Sequence, residues 1–110
     1  LCLQFRQRLE RARDFFRSHG RCSVCYCHVA SIGEPTCAQR VVHVTEHFIA
    51  LVPYASMQFR VSIVPKRHSA SWLRLKTLEL EDLAKLLQML WKALFQLLDD
   101  PSYRMFILSA

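Results

Sequence analysis

His47-Phe48-Ile49-Ala50-Leu51-Val52-Pro53-Tyr54-Ala55, followed by Phe59-Arg60-Val61-Ser62-Ile63-Val64-Pro65-Lys66-Arg67-His68, is the stretch whose reading decides the fold. Both runs are rich in β-branched and aromatic residues, and proline, which cannot donate to a ladder, closes each of them. They read as strands over 47–53 and 59–65 joined by a loop. The second strand delivers His68 just past its end. Residues 40–44, short and β-branched, read as an edge strand beside them.

Working outward, Leu80, Leu83, Leu87, Leu90, Leu94 and Leu97 recur in steps of three and four, and Leu86 and Leu98 widen the stripe. This predicts an amphipathic helix over about Leu78–Leu98 whose leucines pack on the sheet. Thr77 is the expected N-cap, with Glu79, Glu81 and Asp82 at the positive end of the dipole. Asp99-Asp100-Pro101 stops the helix. Residues 103–108 (Tyr103-Arg104-Met105-Phe106-Ile107-Leu108) read as a further strand. Upstream, Phe5, Leu9, Ala12 and Phe16 form one stripe of a helix from about Leu3 to Ser18, with Gly20 just past its end, where a left-handed residue is cheap. The order helix, strands, helix, strand predicts an α+β fold with an antiparallel sheet. The expected organisation is a linker helix over 1–20 and one domain over 21–110.

The chain has 110 residues, 52% of them hydrophobic, with two glycines, which describes a single globular domain rather than a disordered segment. No apolar run approaches the roughly 18 residues of a membrane span, so no membrane partner is expected. The arginine-studded first twenty residues are unlike a secretory signal. Five cysteines, an odd number, argue against a closed disulfide framework and for reduced thiols in a cytoplasmic protein. Of the net charge of +6, residues 1–21 carry +4, from six arginines against Glu10 and Asp14. A basic helix can bind nucleic acid, but a solvated face or a face packed on a neighbour is the plainer reading, and no nucleic-acid partner is expected.

Chemistry concentrates at Cys22-Ser23-Val24-Cys25. Two thiolates at this spacing clasp one ion, and His68 at the mouth of the hairpin supplies a third ligand of a tetrahedral site. The fourth position is left to water, a local residue or sequence outside the chain. A rival set, Cys22, Cys25, His43 and His47, superficially resembles a zinc finger. Yet the gap from Cys25 to His43 is long, and the two histidines sit in a strand-like run. On one straight strand they would stand about 13 Å apart, so only a turn at Thr45-Glu46 could bring them to one ion. Cys27 or His28 could substitute as a ligand, against crowding; Cys2 and Cys37 read as ordinary thiols. The five histidines form no recognisable catalytic pair, and there is no Gly-rich phosphate loop. Lys66-Arg67 reads as a solvated strand end, with a phosphate contact as the alternative.

Taken in order, His47 to Ala55, then Ile63-Val64-Pro65-Lys66-Arg67-His68, then Leu98-Asp99-Asp100-Pro101-Ser102-Tyr103, resemble the histidine-triad superfamily. More narrowly, they resemble the C-terminal half of the galactose-1-phosphate uridylyltransferases. The helix leading into Gly20-Arg21-Cys22-Ser23-Val24-Cys25 is similar to the segment joining the two halves there. The resemblance covers about Leu9 to Ser109. It implies a histidine-triad-like antiparallel sheet and nucleotidyl transfer between a nucleotide sugar and a hexose 1-phosphate. The nucleophile of such an enzyme lies in a His-Pro-His motif of the N-terminal half, a motif this chain lacks. The C-terminal half would then give structural metal binding and support a homodimer, beside the catalytic half as partner. The metal is zinc, or iron in some branches. The implied ligands are Cys22, Cys25 and His68, with a later histidine on a last strand expected beyond Ala110. The loop Tyr54-Ala55-Ser56-Met57-Gln58-Phe59-Arg60 departs from the family in lacking a proline and a glutamate. Two alternatives stand beside this reading: a free-standing zinc-binding interaction module without catalysis, and a related adenylyl-transferring or phosphorylase member of the superfamily.

Overall fold

The computed structural model describes residues 3–29, 39–53 and 59–109. Three strands, β1 (Val41–Val44), β2 (Phe48–Leu51) and β3 (Ser62–Pro65), form an antiparallel meander in that spatial order. Two helices accompany it, α1 (Leu3–His19) and α2 (Thr77–Leu98), so the architecture is α+β. Among the described residues, no helix is long and apolar enough to cross a membrane.

The central strand β2 decides the packing. Ile49 faces Val64 and Ala50 faces Ile63 on one side, while Ala50 and Ile49 face His43 and Val44 on the other. Register slips by one residue between Val41 and His43, a bulge in the edge strand. Because side chains alternate along a strand, the unbroken run Phe-Ile-Ala-Leu puts apolar groups on both faces, and all four residues are buried. Phe48 and Ala50 pack with Leu86 and Leu90 of α2, and Val61, Ile63, Leu75 and Leu83 close round them. Ile49, Leu51 and Val64 form a second cluster with Val41. The strands are shorter than the sequence suggested: 47, 52–53 and 59–61 lie outside them, although His47 and Val52 still make backbone hydrogen bonds to Lys66 and Arg40.

Helix α2 matches its expected span, but the N-cap is Lys76, not Thr77. Lysine has no acceptor, so only the return half of a capping box forms, from the Lys76 N–H to Glu79 Oε1 at 3.4 Å. Asp99 ends the helix in the left-handed region, with φ 53°, its N–H donating to the Phe95 carbonyl at 3.1 Å. The leucine stripe is only partly core. With 3.6 residues per turn, positions 79, 83, 86 and 90 share a face, and these point at the sheet. Leu80 lies to one side and is exposed, and Leu97 is 73% exposed. The helix of 22 residues is about 33 Å long against about 13 Å for a four-residue strand, so its last turns overhang the sheet.

The strand expected at 103–108 is not one. That segment is irregular, and Tyr103, Met105, Phe106, Ile107 and Leu108 are 56–76% exposed. An alternating apolar run becomes a strand only when a ladder partner takes up its backbone groups; among the described residues none does. The segment is tethered at its two ends instead. Tyr103 sits against Trp91, with ring centroids 5.7 Å apart, and the Ser109 hydroxyl accepts the Trp72 N–H at 3.2 Å.

At the other end of the chain, Gly20 adopts φ 65° just past α1, as its position predicts, and donates to the Phe16 carbonyl at 2.8 Å. Of the apolar stripe of α1, Phe16 is exposed and Leu9 half-buried.

Candidate metal centre

Gly20 turns the chain out of α1; Cys22 stands just before a short helical turn at residues 23–24, which runs into a π-helical turn over Cys25–Val29. The Tyr26 N–H donates to the Cys22 carbonyl at 2.9 Å, which winds the two thiols onto one side. Aromatic contacts hold this knuckle against α1. Phe15 lies 6.1 Å from the Tyr26 ring, the Arg21 guanidinium stands 6.0 Å from the same ring, and Phe15 stacks on His19 at 4.1 Å. The His19 Nδ1–H donates to the Phe15 carbonyl at 3.1 Å, which fixes that ring.

His68 reaches the knuckle from the end of β3. One ligand atom from each of Cys22, Cys25 and His68 lies within 4.8 Å of the others, and the closest contact is Cys25 Sγ to His68 Nδ1 at 3.3 Å. Both cysteines are half-buried, and His68 is exposed. Burial pushes the Cys25 thiol above its ordinary pKa, and the neighbouring Cys22 raises it further by charge and by hydrogen bonding. Two thiolates so close repel each other, and a divalent cation between them relieves that repulsion. The donor set fits such an ion. Soft thiolates with an imidazole suit zinc, at Zn–S about 2.3 Å and Zn–N about 2.0–2.1 Å, and the spread of the three atoms lets one ion reach them all. Nδ1 is the nitrogen turned toward the site.

The rival set is not assembled. A turn does form at Thr45-Glu46, but His43 is an exposed residue of β1 and the His47 ring points to Glu46, 3.9 Å away. Among the described residues, Cys22, Cys25 and His68 are the one group of three or more ligating side chains so placed. Cys27 is exposed and outside that group. The side chain of His28, and Cys2 and Cys37, lie outside the described residues.

Two polar clamps beside the site were not anticipated. Arg67, read as a solvated strand end, gives its Nε–H and Nη2–H to Glu79 Oε1 at 3.0 and 2.9 Å, and Nη2 also donates to the Arg74 carbonyl at 3.1 Å. Glu79 is 4% exposed, and the Arg67 hydrogen bonds hold its carboxyl below the ordinary glutamate range despite that burial. The second clamp is Asp82. Its Oδ2 accepts the Thr45 hydroxyl at 2.7 Å and the His47 N–H at 3.0 Å, and Thr45 Oγ1 in turn accepts the Phe48 N–H at 3.0 Å. Partial burial pushes the Asp82 carboxyl up, but those two donors outweigh it and the net shift is downward. One signal in the sequence could have found Glu79: it shares a helix face with Leu83, Leu86 and Leu90, so its carboxylate had to be covered and therefore paired.

Against this geometry, comparison with known proteins is informative. Over 89 residues, 80% of its length, the chain is 35% identical to galactose-1-phosphate uridylyltransferase of Thermotoga maritima. The chain is a relative of the galactose-1-phosphate uridylyltransferases. It is also 29% identical over 101 residues, 91% of its length, to ADP-glucose phosphorylase of Arabidopsis thaliana. In each case the match takes in 26% of the relative and falls in its C-terminal part, so the chain spans about a quarter of the length of the curated relatives it matches. No family model matches the chain, and no solved structure matches it.

Proposed function

We propose that this chain is the C-terminal, metal-bearing part of a nucleotidyl-transferring enzyme of the galactose-1-phosphate uridylyltransferase kind. The supporting observation is the convergence of Cys22, Cys25 and His68 within 4.8 Å in a chain related to such enzymes. In this reading residues 21–110 are a histidine-triad-like domain and residues 1–20 a linker helix. The metal is zinc, with iron the second candidate, and its role is structural: it ties the knuckle after α1 to the end of β3. Reduced cytoplasmic thiols keep both sulfur ligands available. The chain has no His-Pro-His sequence, so the nucleophile and the transfer step belong to the catalytic half. The domain's part in catalysis is support of that half and of the dimer. The substrates of the whole enzyme are a nucleotide sugar and a hexose 1-phosphate. The Arabidopsis relative, matched over more of the chain, favours a second reading in which an adenosine diphosphate sugar is split by phosphate.

Metal analysis tests the site. The purified chain is expected to carry one zinc, to lose it in Cys22→Ser or His68→Ala, and to fall in Tm when a chelator strips it; a chain that binds neither zinc nor iron removes the metal reading. Assay of the whole enzyme with uridine and adenosine diphosphate sugars separates the two activities. A zinc-loaded chain that takes part in neither reaction would instead favour a free-standing interaction module.

A further inference from the structure

His68 makes one described side-chain hydrogen bond, to Cys25, and is otherwise exposed. Its ring is therefore not oriented by a partner of its own; it goes where the backbone carries it. That backbone is fixed on both sides. On one side, Arg67 is anchored by three hydrogen bonds, two to buried Glu79 at the start of α2 and one to the Arg74 carbonyl. On the other, the Ser69 hydroxyl donates to the Ser71 carbonyl at 2.9 Å. Glu79 in turn sits one helical turn from Leu83 and two from Leu86, on the face that packs into the sheet, so its position is set by the core.

We propose that the Arg67–Glu79 pair is the positioning device of the metal site, holding the His68 arm at the distance the two cysteines require. This rests on the metal reading above. A ligand on a free arm must be ordered when the ion binds, and that ordering costs conformational entropy. A ligand held in place beforehand avoids that cost, which is why groups behind metal ligands change affinity without touching the ion. Both carboxylate hydrogen bonds from Arg67 fall on a single oxygen, Oε1, which also accepts the Lys76 N–H. Loss of charge there loosens three contacts together. Lysine at position 67 keeps the charge but loses the fork that reaches Glu79 and the Arg74 carbonyl at once.

The test is zinc affinity by competition with a chromophoric chelator, together with the visible spectrum of the cobalt-loaded chain. It compares the whole wild-type chain with Glu79→Gln, Arg67→Lys and Asp82→Asn. Asp82→Asn is the control: by removing the charge it weakens a clamp on the same turn region of α2, but one that reaches the β1–β2 turn and not the His68 arm. The expected result is that Glu79→Gln and Arg67→Lys each weaken zinc binding about tenfold or more and alter the cobalt spectrum. Asp82→Asn should leave both within about twofold of wild type while lowering Tm. Should one of the two variants fail to fold by circular dichroism, the other carries the comparison. Unchanged zinc affinity in the folded variants overturns the positioning role while leaving the metal site intact, and so does an equal loss in Asp82→Asn. A wild-type chain that binds no zinc overturns the metal reading itself, and the positioning role with it.

Discussion

Leu86 and Leu97 occupy the same helix and the same sequence stripe, yet one is 1% exposed and the other 73%. The difference is where the sheet ends. Leu86 belongs to the principal core cluster with Phe48, Ala50 and Leu90, whereas Leu97 lies on the overhanging last turn. Truncating Leu86 to alanine removes buried methyl groups and leaves a cavity between helix and sheet, for a loss of about 2–5 kcal/mol. The same change at Leu97 is expected to cost less than about 0.5 kcal/mol. Urea unfolding of the two variants checks this, and near-equal losses would mean that the last turn of the helix is covered as Leu86 is. At this scale the grouping of Cys22 with Cys25 followed from their spacing, and the approach of His68 to them from its place after the hairpin. Arg67 and Glu79 were hidden because a charged residue at a strand end or in a first helical turn has an ordinary solvated explanation. Only the burial of Glu79 forces the pair.

Among the elements, periodicity served β2, β3 and α2 well because each buries at least one face, and burial is what an apolar pattern records. It failed at residues 103–108, where the apolar side chains are real but no ladder partner is described. It also placed α1, expected over about Leu3–Ser18 and found over Leu3–His19, although Phe15, which meets the knuckle, lies outside the apolar row read from the sequence. Polar contacts join elements as well as the apolar core does. Glu79 and Asp82, near the start of α2, bind the end of β3 and the β1–β2 turn respectively. Both carboxyls are held below their ordinary values in the folded chain, so the unfolded chain binds more protons in acid. The stability they provide is complete above the unfolded carboxyl pKa values of about 3.9–4.3 and is lost as pH falls through the lower folded values. Thermal unfolding from neutral pH down into this range should show a falling Tm. The fall should be shallower in Asp82→Asn, which has no carboxyl to protonate at that position. An acid limb of unchanged steepness in that variant would show that other groups carry it.

Over the whole molecule, exposed surface is the dominant fact. The accessible area is 8972 Å², against about 6,300 Å² for a compact monomer of this mass. Much of the exposed apolar surface is in one region. Trp91, Phe95, Leu97 and Leu98 line the overhanging end of α2, and the tethered segment from Tyr103 to Leu108 begins against Trp91. Apolar groups gathered this way mark an interaction surface or an association hazard. An irregular segment beside them, with no ladder partner among the described residues, adds a place where another strand can pair. The isolated chain is therefore expected to self-associate at concentrations on the order of tens of micromolar. Replacing Phe95 or Phe106 with lysine puts a charge into that surface without touching the sheet core, and should return the chain toward monomer with little change in Tm. Sedimentation velocity across a concentration series reads both effects. A wild-type chain that sediments as a clean monomer throughout would show that this surface does not associate, and the exposed turns of α2 would then have to be stable in water on helix propensity and capping alone.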